Sequence, residues 1–304
     1  MSELFHRDAD DSRLMRLRAI LQGYGSCLVA YSGGVDSVLL ARVAHDVLGS
    51  RALAVIADSP SLPRRELAEA VELGERFGFP VRVVRTAEFD NPSYLANPLN
   101  RCYFCKHALF TELEPIARNE HFAVIAYGEN ASDVGDHRPG SMAAAEFDVR
   151  APLREAGLSK DDIRALSARL GLPTADKPQM ACLSSRIPTG EAVTPAKLRM
   201  IEAAELFLRD AGFHDLRVRH HESPTGALAR IEVDDVLRLA EPGLATRVVG
   251  RLREIGYLHV TLDLAGYRRG STNGVPPASP GERAGNDPAP IGFREPSSGR
   301  VARP

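Results

Sequence analysis

The sequence predicts an α/β protein in which a doubly wound parallel sheet is followed by a smaller α+β unit. Three observations carry that expectation. Short β-branched runs alternate with amphipathic stretches from Leu14 to about Leu172, an apolar run ends in two glycines just before a helical pattern, and the rhythm changes after Pro173. With 304 residues the chain is long enough for two domains, placed at 1–172 and 173–265. Residues 266–304 form a tail.

In chain order, strands are predicted at 26–31, 52–57, 81–85 and 123–126, with helices at 36–48, 64–77, 106–119 and 159–170. The last helix opens as Ser159-Lys160-Asp161-Asp162 and stops at Gly171, a capping serine with acids in the first turn and a glycine stop. After Pro173 comes a loop holding Cys182 and Ser184-Ser185-Arg186. It leads to a helix at 195–211, strands at 216–219 and 227–233, another helix and a strand at 260–264. The 39 tail residues hold seven of the 21 prolines and seven of the 25 glycines with few apolar residues to bury, which predicts disorder.

Composition excludes several classes. Lys plus Arg number 38 against 40 Asp plus Glu, a net charge of −2 that offers no general attraction to nucleic acid or anionic membranes. No run approaches the roughly 20 apolar residues needed to span a bilayer, and the acidic N-terminus has no apolar signal core. The expected location is cytoplasmic. Four cysteines, Cys27, Cys102, Cys105 and Cys182, are too few for a secreted disulfide scaffold and suit a reducing compartment.

The most informative segment is Cys27-Leu-Val-Ala-Tyr31-Ser32-Gly33-Gly34-Val35-Asp36-Ser37. A buried strand running through two glycines into a helix N-terminus makes a phosphate site, because the first amides of a helix are unpaired and its dipole is positive there. The glycines admit phosphate oxygens to the backbone, and Ser32 and Ser37 add hydroxyls. A Walker A loop is excluded because this loop has no lysine. The bland alternative is a glycine turn capped by Asp36.

Cys102 and Cys105 form a C-x-x-C at the entrance to a predicted helix, and Cys182 lies in Ala181-Cys-Leu-Ser-Ser-Arg186. Cys27 sits in an apolar strand, where a small buried hydrophobe is its expected role. Spacing alone leaves open zinc with a fourth ligand such as His107, a redox dithiol, or a catalytic three-cysteine site. Three thiolates suit a [4Fe-4S] cube with one iron free of protein. Cys182 also suits a simpler role as nucleophile or sulfur donor, activated by Arg186.

Ser-Gly-Gly-Val-Asp-Ser after an apolar strand resembles the signature of the PP-loop ATP pyrophosphatases, which include asparagine, GMP and NAD synthetases and several tRNA thiolases. The resemblance implies cleavage of ATP between the α and β phosphates. On it, Ser32, Gly33, Gly34 and Ser37 cradle pyrophosphate and Asp36 helps to hold Mg²⁺. The match narrows with Asp58-Ser-Pro-Ser-Leu-Pro-Arg-Arg-Glu66, Asn100-Arg-Cys-Tyr-Phe-Cys-Lys106, Asp136-His-Arg-Pro-Gly140, Ala151-Pro-Leu, Ala181 to Arg186, Arg217-Val-Arg-His220 and Ala229-Arg-Ile-Glu232. Together these resemble the LarE family, ATP-dependent pyridinium-3,5-biscarboxylic acid mononucleotide sulfurtransferases of nickel-pincer cofactor biosynthesis and lactate racemase maturation. The resemblance runs from about Leu14 to Tyr267.

LarE-like enzymes adenylate a substrate carboxylate, and attack by a cysteine sulfur with loss of AMP leads to a thiocarboxylate. The resemblance makes Cys182 the sulfur-bearing cysteine. In one branch that cysteine is sacrificed to dehydroalanine; the additional pair Cys102 and Cys105 resembles the branch thought to carry a [4Fe-4S] cluster on three cysteines and to pass on a bound sulfide. The implied partners are a small-molecule mononucleotide, a sulfide or other sulfur donor, and further copies in a homo-oligomer, with no membrane or nucleic acid.

Other polar positions are less sharply defined. Arg217 and Arg219 alternate on a strand and suit a mononucleotide phosphate; the alternative is a solvated strand face. Arg138 is a candidate for phosphate and Asp136 for metal, in a loop after the fourth strand. Ser185, with Ser184, caps a helix or binds phosphate, and Glu232 is equally well a surface acid. A tRNA thiolase is the runner-up, which would require a basic surface, and a cluster- or zinc-binding interaction protein is the non-catalytic alternative.

Overall fold

The structure, a computed structural model, describes residues 2–133, 139–178 and 181–268, with side chains from residue 11 onward. A first helix, α1 (Ser2–Tyr24), precedes β1 (Cys27–Tyr31), α2 (Val35–Leu48), β2 (Ala52–Asp58), α3 (Arg64–Phe77) and β3 (Val81–Arg85). Then come α4 (Pro92–Leu95), α5 (Arg101–Asn119), β4 (Val124–Tyr127), α6 (Pro139–Glu146), α7 (Pro152–Glu155) and α8 (Lys160–Arg169). The four strands are parallel in the order β3-β2-β1-β4. The strand order reverses beside β1, so a crevice opens where the carboxyl ends of β1 and β4 lie side by side.

Strand periodicity sorts the side chains into two cores. Cys27, Val29, Tyr31, Ala54 and Ile56 face a cluster with α1, α2, α3 and α8, while Leu28, Leu53 and Val55 face Phe110 and Leu113 of α5. Cys27 is fully buried, and burial pushes its thiol up to about 12, as an inert core residue requires. Helix α8 begins with the expected cap: Ser159 Oγ accepts from the Asp162 amide while the Asp162 carboxylate accepts from the Ser159 amide.

Two expectations about helices need correction. The helix expected at 106–119 starts at Arg101, so both cysteines of the C-x-x-C are inside it, three apart on one face. The N-terminal segment, for which no element was expected, forms α1, held by Leu14, Leu17 and Leu21 in the first core.

The second sheet follows helix α9 (Pro195–Asp210) and holds β5 (Leu216–Ser223), β6 (Gly226–Val233) and, after α10 (Val236–Leu239) and α11 (Pro242–Ile255), β7 (His259–Leu262). Its order is β5-β6-β7, with β5 and β6 antiparallel and β6 and β7 parallel. Helices α9 and α11 cover it through Leu208, Phe213, Val248, Leu252 and Tyr257. Among the described residues no helix is long and apolar enough to cross a membrane. The tail from residue 269, with Asp136 and Arg138, lies outside the described residues.

Candidate functional site

The turn from β1 into α2 is built almost entirely from its own backbone and two serines. Gly33 has φ of +71°, and a Cβ there would stand 2.7 Å from the Ala70 Cβ of α3, so only glycine fits on both counts. Ser37 Oγ accepts from the Ser32 amide at 3.2 Å and donates to the Gly34 carbonyl at 3.1 Å, stapling the loop from beneath. Ser37 is therefore a buried structural hydroxyl in this conformation, and Ser32 is the exposed one. The amides at the start of α2 open into a cleft of about 730 Å³, whose walls include Ser32, Gly34, Asp36, Lys160 and Cys182.

Asp36, expected at a magnesium, has both carboxylate oxygens engaged. Asn130 Nδ2 donates to Oδ1 at 3.1 Å, and Lys160 Nζ stands 2.5 Å from Oδ2. Sequence reading missed both partners. The signal for Lys160 was indirect: a phosphate loop without its own lysine needs a cation from elsewhere, and Lys160 is the first residue of the capped helix α8.

Cys182 lines the same cleft. Its loop is tied down locally, since the Leu183 amide donates to the Ser61 carbonyl at 2.8 Å and Ser185 Oγ donates to the Cys182 carbonyl at 2.8 Å. Arg186 lies close enough to Cys182 for their charges to interact, but its hydrogen bonds go elsewhere. It donates to the carbonyls of Ala181 and Cys182 and pairs with Glu205 at 2.9 Å. The guanidinium facing the sulfur is that of Arg101, with Nη2 4.0 Å from Cys182 Sγ.

Cys102 and Cys105 stand on the first turns of α5 beside this loop. Cys105 packs against the apolar cluster of Tyr94, Leu183 and Ile187, which brings it next to the residue after Cys182. Burial and then the negative charge of Cys182 raise the Cys105 thiol. Cys102 is exposed at the residue level, yet desolvation at its sulfur and the charge of Cys182 raise it as well. The three sulfurs thus share one electrostatic neighbourhood. Their donor chemistry suits a cluster, but among the described residues no three His, Cys, Asp or Glu side chains stand grouped to hold a metal ion.

Next to the Cys182 loop lies a buried set of charges. Arg186 is 2% exposed, Arg219 4%, Arg217 9%, Glu205 5% and Glu232 0%, which removes the solvated-face reading of β5 and the surface-acid reading of Glu232. Glu232 takes a two-pronged contact from Arg219 at 3.1 and 3.0 Å, and Arg219 Nη1 also donates to the Ser185 carbonyl at 3.0 Å. Burial would raise the Glu205 carboxyl, but the Arg186 guanidinium holds it below the usual range. Arg217 is pulled the other way, its pKa lowered by burial and by the positive charge of Arg186. Arg230 also reaches Glu232, at 3.2 Å, and Asp263, so among the described residues four guanidiniums stand against three carboxylates and the set is net positive.

No protein-family model matches the chain. It is 43% identical to an uncharacterized protein of Synechocystis over 87% of this chain and 98% of that one. It is 34% identical to the pyridinium-3,5-bisthiocarboxylic acid mononucleotide synthase of Lactiplantibacillus plantarum over 84% of this chain and 92% of that enzyme. A tRNA-specific 2-thiouridylase from Azorhizobium caulinodans is 30% identical, over 59% of this chain and 55% of its own length. A glycine loop at the switch point of a parallel sheet, a cysteine lining the same cleft and a near-complete match to the plantarum synthase agree: the chain is an enzyme that belongs to the LarE family of PP-loop sulfurtransferases.

Proposed function

We propose that this enzyme uses ATP to convert a carboxylate of pyridinium-3,5-biscarboxylic acid mononucleotide into a thiocarboxylate, a step of nickel-pincer cofactor biosynthesis. The observation that carries the reading is the shared cleft: the phosphate loop, Lys160 and Cys182 line one cavity. A carboxylate is a poor electrophile, and adenylation gives it a good leaving group. The carboxylate oxygen attacks the α-phosphorus and expels pyrophosphate, which the amides after Gly34 and the Lys160 ammonium receive. Mg²⁺, for which Asp36 supplies a hard oxygen ligand, would offset the phosphate charge. A sulfide then adds to the acyl carbon, AMP departs, and the thiocarboxylate remains.

Arg217, Arg219 and Ser185 would hold the mononucleotide phosphate, for which the guanidinium forks are well shaped. Cys102, Cys105 and Cys182 would hold a [4Fe-4S] cluster, which when bound supplies a sulfide and leaves the three cysteines intact. Arg101 stabilises negative charge at Cys182 during transfer.

Anaerobic turnover with ATP, sulfide and the dicarboxylate mononucleotide tests this. The expected products are AMP, pyrophosphate and the thiocarboxylate, with more than one product per chain and Cys182 unchanged in mass. ADP as the principal product overturns adenylation. Dehydroalanine at 182, one per product, overturns the cluster-bound donor and assigns the sulfur to Cys182 itself.

A further inference from the structure

A second cavity, of about 370 Å³, lies on the other side of the phosphate loop and shares Ser32, Asp36, Gly128 and Asp133 with the first. Its far wall is aromatic and aliphatic: Tyr127 at the end of β4, with Leu109 and Phe110 from α5. Helical spacing puts Cys102, Lys106, Leu109 and Phe110 along one face of α5, so this wall leads from the sheet to the exposed cysteine of the C-x-x-C.

The cavity already seats a cation over its aromatic ring. Lys106 Nζ lies 4.6 Å from the Tyr127 ring centroid. The Tyr127 hydroxyl donates to Glu129 at 2.5 Å, and Glu129 is buried. A phenol that donates to a carboxylate pushes electron density into its ring and strengthens the attraction of the ring face for positive charge. Gly140 lets the Lys106 stem cross the cavity, since a Cβ there would stand 2.6 Å from Lys106 Cδ. The lysine stem is flexible, so its head can leave the ring.

We propose that this second cavity is the seat of the substrate's cationic pyridinium ring, which takes the place of the Lys106 ammonium over Tyr127. The ring positive charge replaces the lysine charge at the ring face, and the displaced ammonium pairs with a ring carboxylate. The other carboxylate then points along the shared wall of Ser32 and Asp36 toward the α-phosphate. This inference rests on the reading of the substrate as a pyridinium mononucleotide.

Binding of two commercial probes of the same shape separates the ring charge from everything else: nicotinamide mononucleotide, whose ring is a pyridinium, and its reduced dihydropyridine form, whose ring is neutral. Titration calorimetry on the full chain is expected to show the oxidised probe binding about tenfold more tightly. Tyr127→Phe keeps part of that preference, and Tyr127→Leu removes it without changing affinity for the reduced probe. Equal binding of both probes by the wild type, or an undiminished preference in Tyr127→Leu, overturns the seat. If Tyr127→Leu fails to fold, Lys106→Met decides: losing the resident cation should tighten the oxidised probe alone, and no change overturns the proposal. Because neither probe requires ATP or sulfur transfer, failure of the sulfurtransferase reading would appear separately, as absent AMP and thiocarboxylate in wild-type turnover.

Discussion

The phosphate loop and the buried charge cluster beside Cys182 are both polar sites, but they are made in opposite ways. The loop is local: Ser32, Gly34 and Ser37 bond to one another within five residues, and the binding groups are backbone amides. The cluster is long-range: Arg186 meets Glu205 across 19 residues, and Arg219 reaches the Ser185 carbonyl across 34. A site built of backbone is exposed to steric change, whereas a site built of buried ions is exposed to any change that leaves one charge alone. The same substitution chemistry therefore acts differently in the two places.

The largest stability effect belongs to the cluster. Glu205→Ala leaves the buried Arg186 without its partner, and its cost is expected at about 3–5 kcal/mol by urea unfolding. Glu232→Ala, which removes the buried carboxylate that Arg219 and Arg230 both contact, is expected to behave alike. If either variant keeps wild-type stability, water reaches the cluster and the contrast with the loop disappears.

Gly33→Ala ranks next. It combines a strained φ with a clash against Ala70, for an expected cost of about 1–3 kcal/mol. Its effect on activity should exceed its effect on stability, because the amides that meet pyrophosphate are displaced. Pyrophosphate release measured well below the unfolding temperature should fall at least about tenfold, on the scale of a lost positioning or charge-stabilising contact. Normal release would show that the loop does not bind phosphate.

Acid separates the two sites in another way. The Glu205 carboxyl is held below its ordinary value in the fold, so the protonated form is disfavoured there relative to the unfolded chain. That stability is fully present above the unfolded carboxyl pKa of about 4.3 and is lost as pH falls through the lower folded value. Unfolding followed from pH 7 down to well below the unfolded carboxyl value should therefore show a steep acid limb. Glu205→Gln should flatten it while lowering stability at neutral pH.

The contrast also explains what could be read from the sequence. Strands, order of layers and the glycine loop were legible because each follows from residues near one another: the β1 run, Gly33, Gly34 and the cap at Ser159. Cys182 and the C-x-x-C could be named as candidates for one chemical set. The start of α5 was not, because Arg101 to Cys105 carries no cap signal and the helix there is fixed by Cys105 packing on Leu183 and Tyr94. Nor was the pairing of Arg186, since Cys182 and Glu205 are equally plausible partners until the chain is folded. Arg217 and Arg219 could be named as candidates, but that they are buried and balanced by carboxylates is a property of the assembled sheet.

Lys160 is where the two regimes meet, and it gives the smallest stability effect with the sharpest consequence. It sits on a locally specified helix start yet acts through a contact with Asp36, 124 residues away in sequence. The pair is part-exposed, so Lys160→Ala should change stability by about 1 kcal/mol or less. Function should respond more strongly, since the ammonium is the mobile cation that the lysine-free loop lacks. In the ATP complex it can release Asp36 to Mg²⁺ and turn to the phosphates, so Lys160→Ala should raise the Mg²⁺ needed for half-maximal pyrophosphate release and lower the maximal rate. Lys160→Arg keeps the charge but not its compact head, and should restore part of the rate. A variant with unchanged magnesium dependence and rate would confine Lys160 to a surface ion pair, and the loop would then manage pyrophosphate with its amides alone.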